Sequence, residues 1–491
     1  MGSPRHVIVV GAGMGGLGAA LDLSIRGYRV TLLEQAAAPG GKMREVAVGD
    51  QRVDSGPTVM TMRWIFDDLF AAAGLDFGDR VHLRRAEVLA RHRWLDGASL
   101  DLFADLEQSV TAIEQMSGAA DAAAYRQFVK KSGEIFDTLD ASFMRAERPG
   151  SLKLLQRLGL AGIPRLLATR PFKTLWNDLR GRFSDPRLVQ LFARYATYCG
   201  SNPFQAPATL MLIAEAERRG VWTIEGGMQR LADTMAQVTR ECGGEIRLDS
   251  PVAEIQVTDG KASGVMLADG QVLAADAVVF NGDTQALAEQ LLGLAAAPAA
   301  DLRPAEGFTL SAMTVSGYGR ARGYPLAYHT VLFGDDYADE FAAIFERGEV
   351  TARPTIYICA QDRADHDASP DKERLFFLMN APPHHPGGPA PDYEAARMRL
   401  SEHLRAHQLD VELEHEVVTT PPAFGQLFPG SRGALYGRPV HGPWASFQRP
   451  GSRTAIIGLY VAGGSVHPGA GVPMATQSGR LAAASVAEDL G

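Results

Sequence analysis

The chain has 491 residues, of which 46% are hydrophobic and 21% charged, and a formal net charge of −9. This length allows about three domain-sized units. The acidic balance argues against general nucleic-acid binding, and the absence of a run of about 18 apolar residues excludes a membrane-spanning helix. Cys199, Cys242 and Cys359 are far apart, which predicts buried free thiols and neither a disulfide framework nor a metal site. The N-terminal glycine spacing does not fit a secretory signal, so we expect a cytoplasmic protein.

The first segment of the chain predicts a dinucleotide-binding strand–helix–strand unit. An apolar run, Val7–Val10, leads into Gly11-Ala12-Gly13-Met14-Gly15-Gly16 and an Ala/Leu-rich helical pattern, and the next strand, Arg29–Leu33, ends at Glu34. Gly11 permits the tight turn, Gly13 lets a pyrophosphate approach the backbone, and Gly16 lets the helix pack closely on the strand. Free N–H groups at the helix start bind phosphates, and Glu34 is placed to accept hydrogen bonds from ribose hydroxyls.

A basic turn and a polar loop follow Glu34. Lys42 and Arg44 come directly after Pro39-Gly40-Gly41, and the loop Asp54-Ser55-Gly56-Pro57-Thr58-Val59 comes next. Basic side chains and exposed backbone N–H groups in these positions are suited to phosphate oxygens or to those of a cofactor ring. Plain surface charge is the alternative interpretation of Lys42 and Arg44.

Residues 151–183 reverse the charge of an otherwise acidic chain. Leucines and three aromatic residues interleave with seven bases, and Asp178 is the single acid. The bases are Lys153, Arg157, Arg165, Arg170, Lys173, Arg180 and Arg182, and the aromatic residues are Phe172, Trp176 and Phe183. This pattern is typical of helices that lie in a membrane interface, where each base contributes about 1 kcal/mol near an anionic surface. The alternative is an ordinary surface helical hairpin whose leucines face the core.

The later part of the chain predicts further strands and helices of the nucleotide-binding domain. Glu225-Gly226-Gly227-Met228 opens a helical pattern, and short strands between Glu245 and Phe280 are separated by Asp-Gly turns and end at Asn281. Near the C-terminus, a strand ending at Gly463-Gly464 is followed by the glycine-rich loop His467–Met474 and a helical pattern from Ala475 to Leu490. We therefore expect both termini to build one nucleotide site, with other material inserted between them.

Together these motifs resemble the carotenoid desaturase branch of the flavin amine-oxidase-like superfamily, over essentially the whole chain. The resemblance rests on Gly11–Gly16 with Glu34, Gly40-Gly41-Lys42, Asp54–Thr58, Gly200–Phe204, Glu225–Met228, Tyr328-His329, Met379–Pro383, Pro429-Gly430 with Gly433–Gly437, and His467–Pro473. The last motif is the most specific. Pro473-Met474 with Ser478-Gly479-Arg480, and Val221-Trp222, are similar to hydroxycarotenoid 3,4-desaturases (methoxyneurosporene dehydrogenases) rather than to phytoene desaturases.

The resemblance implies an α/β fold with three parts, as in amine oxidases and GDP-dissociation inhibitors. A Rossmann-type FAD-binding domain would comprise residues 1–82, 215–300 and 430–491. An inserted mixed-sheet substrate domain would comprise residues 83–130 and 301–429. A helical, membrane-associating subdomain would comprise residues 131–214.

The resemblance also implies a non-covalently bound FAD and assigns its binding residues. Gly11, Gly13 and Gly16, with Met14 in the same turn, would hold the pyrophosphate, and Glu34 the adenosine ribose. Lys42, Arg44, Thr58 and Val59 would lie along the cofactor, and Val252 and Asn281 near the adenine. Gly464, Val472, Pro473 and Met474 would approach the ribityl chain and the ring, where a helix start stabilises negative charge on reduced flavin. His329 and His467 are candidate polar groups near the flavin or substrate, with a structural role expected for each.

The implied reaction introduces a C3–C4 double bond into an acyclic 1-hydroxy- or 1-methoxycarotenoid. Hydride loss to the flavin and proton loss from the neighbouring carbon depend mainly on positioning, so no catalytic residue is predicted. A substrate this apolar must come from a bilayer, which predicts peripheral membrane association through residues 151–183. Quinone and oxygen both remain open as electron acceptors. A phytoene-type desaturase, a carotene isomerase and a non-enzymatic lipid-binding relative remain as alternatives.

Overall fold

The computed structural model describes residues 4–148, 162–300, 307–363, 370–384, 391–443 and 445–491. In these residues the strands form one five-stranded, one seven-stranded, one three-stranded and two two-stranded sheets. The strands are β1 (His6–Val10), β2 (Arg29–Leu33), β3 (Glu45–Val48), β4 (Gln51–Asp54), β5 (Leu83–Arg85), β6 (Val88–Arg93), β7 (Ser99–Phe103), β8 (Trp222–Ile224), β9 (Glu245–Arg247), β10 (Val252–Thr258), β11 (Lys261–Leu267), β12 (Val272–Ala274), β13 (Ala277–Phe280), β14 (Ser311–Gly323), β15 (His329–Leu332), β16 (Ile356–Ala360), β17 (Glu373–Ala381), β18 (Leu409–Thr419) and β19 (Leu459–Val461).

The helices of the described residues surround these sheets. The α-helices are α1 (Met14–Ile25), α2 (Trp64–Ala72), α3 (Phe77–Arg80), α4 (Leu106–Ser117), α5 (Ala119–Leu139), α6 (Gly162–Ala168), α7 (Leu175–Arg180), α8 (Pro186–Ala193), α9 (Leu212–Arg218), α10 (Gln229–Glu241), α11 (Thr284–Ala288), α12 (Tyr337–Ala342), α13 (Tyr393–Ala406), α14 (Pro421–Leu427) and α15 (Val472–Leu490). Short 3-10 or π turns cover Asp140–Met144, Arg194–Cys199, Ala208–Met211, Leu294–Ala299, Ala343–Arg347 and Ala445–Gln448. No helix in the described ranges has both the length and the apolar character needed to cross a bilayer.

The predicted glycine turn follows the central strand of a five-stranded parallel sheet. The strand order is β19-β13-β1-β2-β9, and every neighbouring pair is parallel. Val7–Val10 of β1 is buried, as expected for a β-branched run between two covered faces. Strands from the start, the middle and the end of the chain therefore share one sheet, which confirms the predicted nucleotide fold.

The first and last helices pack closely against each other beside this sheet. A Cβ atom at Gly18 would lie 2.7 Å from the Thr476 carbonyl oxygen, and one at Gly479 would lie 1.9 Å from that of Gly15. Only glycine permits so close an approach of two backbones. Helix α15 begins at Val472, earlier than the predicted Ala475, because Pro473 is favoured in the first turn of a helix.

A mixed seven-stranded sheet forms the second layer, in the order β18-β14-β17-β16-β15-β6-β7. Its neighbours are antiparallel except for β15 and β6, which are parallel. Strands β6 and β7 come from the first part of the chain and join strands from residues 311–419. This sheet is the predicted mixed sheet, and the domain boundaries at 82, 130, 214, 300 and 429 remain predictions.

Most leucines in the described part of the basic segment pack inward. Leu175, Leu179 and Phe183 are buried, and the Phe183 ring stacks on Phe192 with centroids 5.1 Å apart. This is the arrangement of the alternative surface-hairpin interpretation. Two apolar side chains of the segment nevertheless point outward, because Leu167 is 55% and Phe172 is 66% exposed. Lys153 and Arg157 lie outside the described residues.

Asp178 changes the predicted charge balance of this segment. Its side chain is buried and forms ion pairs with Arg170, with Arg182 at 2.5 Å and with Lys173 at 3.5 Å. Burial alone would raise the pKa of Asp178, but hydrogen bonds and charge from Arg182 and Arg170 outweigh it and lower the pKa. Three of the bases are therefore held by a buried acid, so they are not all available to an anionic surface.

The three cysteines are free thiols, as predicted. Only Cys359 is fully buried, whereas Cys199 and Cys242 keep some accessible surface. The expectation that all three are buried is therefore wrong for two of them, because Cys199 lies in the wall of a cavity and Cys242 caps the end of α10.

Candidate functional site

A cavity of about 1290 Å³ begins beside the glycine turn and extends between the two layers toward the helical region. It exceeds the roughly 300–1,000 Å³ of common ligand pockets, so it has room for more than one ligand. Fourteen of the fifteen predicted cofactor residues line it: Gly11, Gly13, Met14, Glu34, Lys42, Arg44, Thr58, Val59, Val252, Asn281, Gly464, Val472, Pro473 and Met474. Gly16 does not. In the described ranges, no cluster of three or more His, Cys, Asp or Glu residues is arranged to hold a metal ion.

The glycine turn forms a bare backbone cradle at one end of the cavity. A Cβ at Gly16 would lie 1.9 Å from the Gly11 carbonyl oxygen, so Gly16 acts by letting α1 begin close to the turn. The Asn281 side chain donates a 3.2 Å hydrogen bond to that same oxygen. The turn therefore presents backbone N–H groups at the start of α1 to the cavity, which is the arrangement that a pyrophosphate requires.

The Glu34 carboxylate holds the glycine turn as well as facing the cavity. Its Oε2 accepts a 2.6 Å hydrogen bond from the Ala12 N–H, and its Oε1 accepts one of 2.9 Å from the Ala36 N–H. Each carboxylate oxygen can accept a second hydrogen bond, so ribose hydroxyls remain possible partners. Sequence reasoning identified the position but missed this bracing of the turn.

Lys42 and Arg44 lie in the cavity wall, so the surface-charge interpretation of these two residues is wrong. The Lys42 ammonium donates a 2.8 Å hydrogen bond to the Leu435 carbonyl oxygen, and burial lowers the pKa of Lys42. Arg44 donates a 2.9 Å hydrogen bond to the Thr419 hydroxyl, and burial also lowers the pKa of Arg44.

Arg449 is a site residue that the sequence did not reveal. Its guanidinium donates hydrogen bonds to three backbone carbonyls, those of Gly464 at 2.6 Å, Tyr436 at 3.1 Å and Arg438 at 3.0 Å. These contacts fix the backbone beside Gly464 in the cavity wall. A buried arginine whose partners in the described part of the chain are backbone carbonyls has no local sequence signature.

The two candidate histidines differ in their surroundings. His467 Nε2 lies 3.0 Å from the Phe143 carbonyl oxygen and 2.9 Å from that of Ala146, so this nitrogen is the donor, and burial lowers the pKa of His467 to about 4. His467 therefore ties the C-terminal loop to the helical region and does not line the cavity. His329 Nδ1 lies 2.6 Å from the Tyr357 hydroxyl, and burial lowers the pKa of His329 to about 3.

A buried polar cluster at the far side of the cavity was not predicted. The Tyr357 hydroxyl lies 2.5 Å from Thr58 Oγ1, and Arg194 stands with its guanidinium carbon 5.6 Å from the Tyr357 ring centroid. Glu217 accepts hydrogen bonds from the hydroxyls of Tyr198 at 2.6 Å and Tyr195 at 2.9 Å, and burial raises the pKa of Glu217. The available sequence signal was Arg194, Tyr195 and Tyr198 within one apolar helical stretch.

The parallel sheet, the glycine turn and the cavity closed by the C-terminal loop define the class as an FAD-dependent oxidoreductase. The model of "Flavin containing amine oxidoreductase" matches residues 14–487. The solved structure of an oxidoreductase from Methanosarcina mazei superposes with a TM-score of 0.62 at 19% identity, covering 98% of this chain and 100% of that one, which is a likeness of fold.

Two relatives of known name show to which group of FAD-dependent oxidoreductases the chain is similar. The chain is 45% identical to a hydroxyneurosporene desaturase of Rubrivivax gelatinosus, over 98% of this chain and 92% of that protein. It is 30% identical to a 1-hydroxycarotenoid 3,4-desaturase of a Flavobacterium species, over 98% of both. The chain therefore belongs to the flavin-containing amine oxidoreductase family and, within it, to the carotenoid desaturases, and its cofactor is FAD.

Proposed function

We propose that the chain introduces the C3–C4 double bond of an acyclic 1-hydroxy- or 1-methoxycarotenoid during carotenoid biosynthesis. The observation that carries the proposal is a single cavity that joins the glycine turn to an apolar section. That section is lined by Leu139, Phe143, Met144, Leu210, Leu212 and Ile213. A polyene held there reaches the cofactor without crossing water. The names of the two relatives support the same substrate class, and the name of the Flavobacterium protein supports the same bond position.

In the proposed arrangement, FAD would occupy the part of the cavity that runs from Glu34 to the first turn of α15. The start of α1 would hold the phosphates, and Glu34 and Val252 would hold the adenosine. Gly464 and the first turn of α15 would hold the ring. The exposed N–H groups at the start of α15 favour negative charge there. Residues 1–82, 215–300 and 430–491 would then form the cofactor domain, and residues 83–130 and 301–429 the substrate domain.

The residues around the reacting carbons act mainly by positioning. FAD, when bound, supplies the hydride acceptor. The apolar wall excludes water and aligns the polyene, which replaces a chance encounter with a fixed geometry. We assign no protein base for the proton lost from the neighbouring carbon.

Peripheral membrane docking is the proposed route of substrate entry. Arg165, Leu167 and Phe172 are close in sequence and all exposed, and such a combination favours an anionic lipid interface. Residues 131–214 would then form the membrane-associating subdomain.

An anaerobic single-turnover assay tests the proposal. The purified yellow protein is mixed with a 1-hydroxylated acyclic carotenoid or with phytoene, and the flavin and polyene absorbances are followed together. We expect bleaching of the flavin and a red shift of the polyene with the hydroxylated substrate alone. Turnover of phytoene instead would make the chain a phytoene-type desaturase, and isomerisation only with pre-reduced flavin would make it an isomerase. Quinone or oxygen is then added to identify the acceptor that restores the yellow colour.

A further inference from the structure

Among the described residues, five basic side chains line the cavity, and two of them, Arg194 and Arg44, have a single hydrogen bond and no ion pair. The unpartnered Nε of Arg44 is buried. Lys42, Arg44 and Arg449 donate to carbonyl or hydroxyl oxygens at 2.9 Å or less, and Arg52 forms an ion pair with Glu45 at 3.5 Å. Within the described residues, the Arg194 side chain has one hydrogen bond, of 3.4 Å, to the Tyr198 hydroxyl, and no ion pair. Since a guanidinium carries five N–H donors, most of the donors of Arg194 are left for a ligand.

The surroundings of Arg194 hold its guanidinium at the cavity wall. Its guanidinium carbon lies 5.4 Å from the ring centroid of Tyr198 and 5.6 Å from that of Tyr357, within cation–π range of both. Tyr198 is fixed in turn by its 2.6 Å hydrogen bond to Glu217. A planar cation held between two aromatic rings is preorganised, so little conformational entropy is lost when it binds an acceptor.

Arg194 lines the same cavity as the residues expected to hold the cofactor. It is connected to Thr58 through Tyr357, whose hydroxyl is 2.5 Å from Thr58 Oγ1, and Thr58 and Val59 line the proposed path of the cofactor. In a 1-hydroxycarotenoid, the C1 oxygen is three bonds from C3 and four bonds from C4, so it lies within roughly 5 Å of both reacting carbons. The group that binds this oxygen must therefore lie beside the flavin, and not at the distant end of the polyene.

We propose that Arg194 donates hydrogen bonds to the C1 oxygen of the substrate and so selects carotenoids that carry oxygen at C1. This inference rests on the proposed function. A hydroxyl and a methoxy oxygen both accept hydrogen bonds, and a guanidinium only donates, so one residue serves both substrates. A carotenoid without this oxygen offers these donors no acceptor, so it lacks this stabilising contact.

The test compares a 1-hydroxylated acyclic carotenoid with its 1,2-dihydro analogue, which carries hydrogen in place of the hydroxyl. For the native enzyme we expect kcat/KM to be about 10- to 100-fold higher for the hydroxylated substrate, as for a hydrogen bond from a charged donor. In Arg194→Met this preference should fall to less than about threefold, mainly because kcat/KM decreases for the hydroxylated substrate. Arg187→Met is the matched control, because Arg187 lies on the neighbouring α8 and pairs with Asp185 and Asp96.

A binding measurement separates recognition from catalysis. With the flavin reduced by dithionite, the enzyme cannot accept a hydride, and binding of each carotenoid is followed through its polyene spectrum. We expect Arg194→Met to weaken binding of the hydroxylated compound alone, at unchanged FAD content, and Arg194→Lys to restore part of it.

The outcomes distinguish this inference from the proposed function. A native enzyme that acts on neither compound, or on phytoene instead, overturns the proposed function. A native preference for the hydroxylated compound that survives in Arg194→Met overturns the role of Arg194 and leaves the function standing. Equal losses for both compounds also overturn it, because they assign Arg194 a role unrelated to the C1 oxygen. If Arg194→Met does not retain FAD, Arg194→Gln takes its place in the test. Full preference of Arg194→Gln for the hydroxylated substrate would then contradict the role of Arg194.

Discussion

The Glu34 carboxylate accepts a 2.6 Å hydrogen bond from the backbone N–H of Ala12, between the first two glycines of the turn. The same carboxylate accepts a second hydrogen bond from Ala36, so one acid joins the glycine turn to the loop that follows β2. The residue expected to bind the ribose therefore also shapes the loop that holds the phosphates. Its replacement affects two parts of the cofactor at once.

Glu34→Gln should weaken FAD binding about tenfold or more. The amide replaces one accepting oxygen by a donor, which then faces the N–H of Ala12 or Ala36, and a buried donor without an acceptor costs about 1–3 kcal/mol. Titration of apoprotein with FAD, followed by quenching of flavin fluorescence, measures the effect. Glu245→Gln, on an exposed side chain that starts β9, is the matched control. An unchanged FAD affinity in Glu34→Gln would contradict the bracing role.

Gly16→Ala should abolish FAD binding or folding. The added Cβ would lie 1.9 Å from the Gly11 carbonyl oxygen, so α1 or the turn has to move. Gly133→Ala is the control within α5, because its Cβ would meet only ordinary contacts, at 3.6 Å or more. That change should raise the free energy of unfolding by about 0.5–1 kcal/mol, since glycine is a poor helix residue. FAD content and urea unfolding measure both effects, and a Gly16→Ala protein with native FAD content refutes the prediction.

The protein should lose stability on mild acidification. Burial lowers the pKa of seven histidines: His6, His92 and His329 (the latter two to about 3), and His403, His407, His441 and His467 to about 4. An unfolded histidine takes up a proton near pH 6.5, so the unfolded state binds more protons between about pH 6.5 and 4. The free energy of unfolding therefore falls as the pH is lowered through this window.

Urea unfolding at about pH 7.5, 6 and 5 measures this slope, which gives the number of protons taken up on unfolding. His92→Phe removes one of these histidines and keeps a ring against Phe333, whose centroid is 6.1 Å away. We expect a shallower slope in this variant. A free energy of unfolding that stays constant from about pH 7.5 to 5 would contradict this prediction.

The double variant Leu167→Ser, Phe172→Ser should reduce binding to anionic liposomes several-fold. Both side chains are exposed, at 55% and 66%, and each loses apolar area that an interface would cover. Ile457→Ser is the matched control, because Ile457 is 70% exposed outside the segment. Flotation with liposomes of about one-third phosphatidylglycerol measures binding. Equal flotation of the native protein and the double variant would place the docking surface elsewhere.

Local sequence rules predicted the nucleotide fold because its signals are short and periodic. The turn at Gly11–Gly16 and the helix after Gly471 each depend on neighbouring residues, so their positions could be derived. The seven-stranded sheet required pairing β6 with β15, which are far apart in sequence, and only the family resemblance indicated a mixed sheet. Pairing over such distances leaves no local pattern.

The polar side of the cavity was harder to predict than its glycine side. Arg194, Glu217 and Tyr357 come from three separate elements and meet only in the folded chain. The charge of the basic segment was also misjudged, because the sequence does not show that Asp178 is buried between Arg170 and Arg182. A count of charges records the bases but not which of them already have a partner.

The close packing of α1 against α15 has a consequence for cofactor retention. The cavity wall includes Gly464 and Val472, and α15 begins at Val472. Gly11 and Gly13, at the start of α1, line the same cavity, so neither end of the chain encloses a ligand without the other. Removal of Val472–Leu490 should therefore yield a colourless protein.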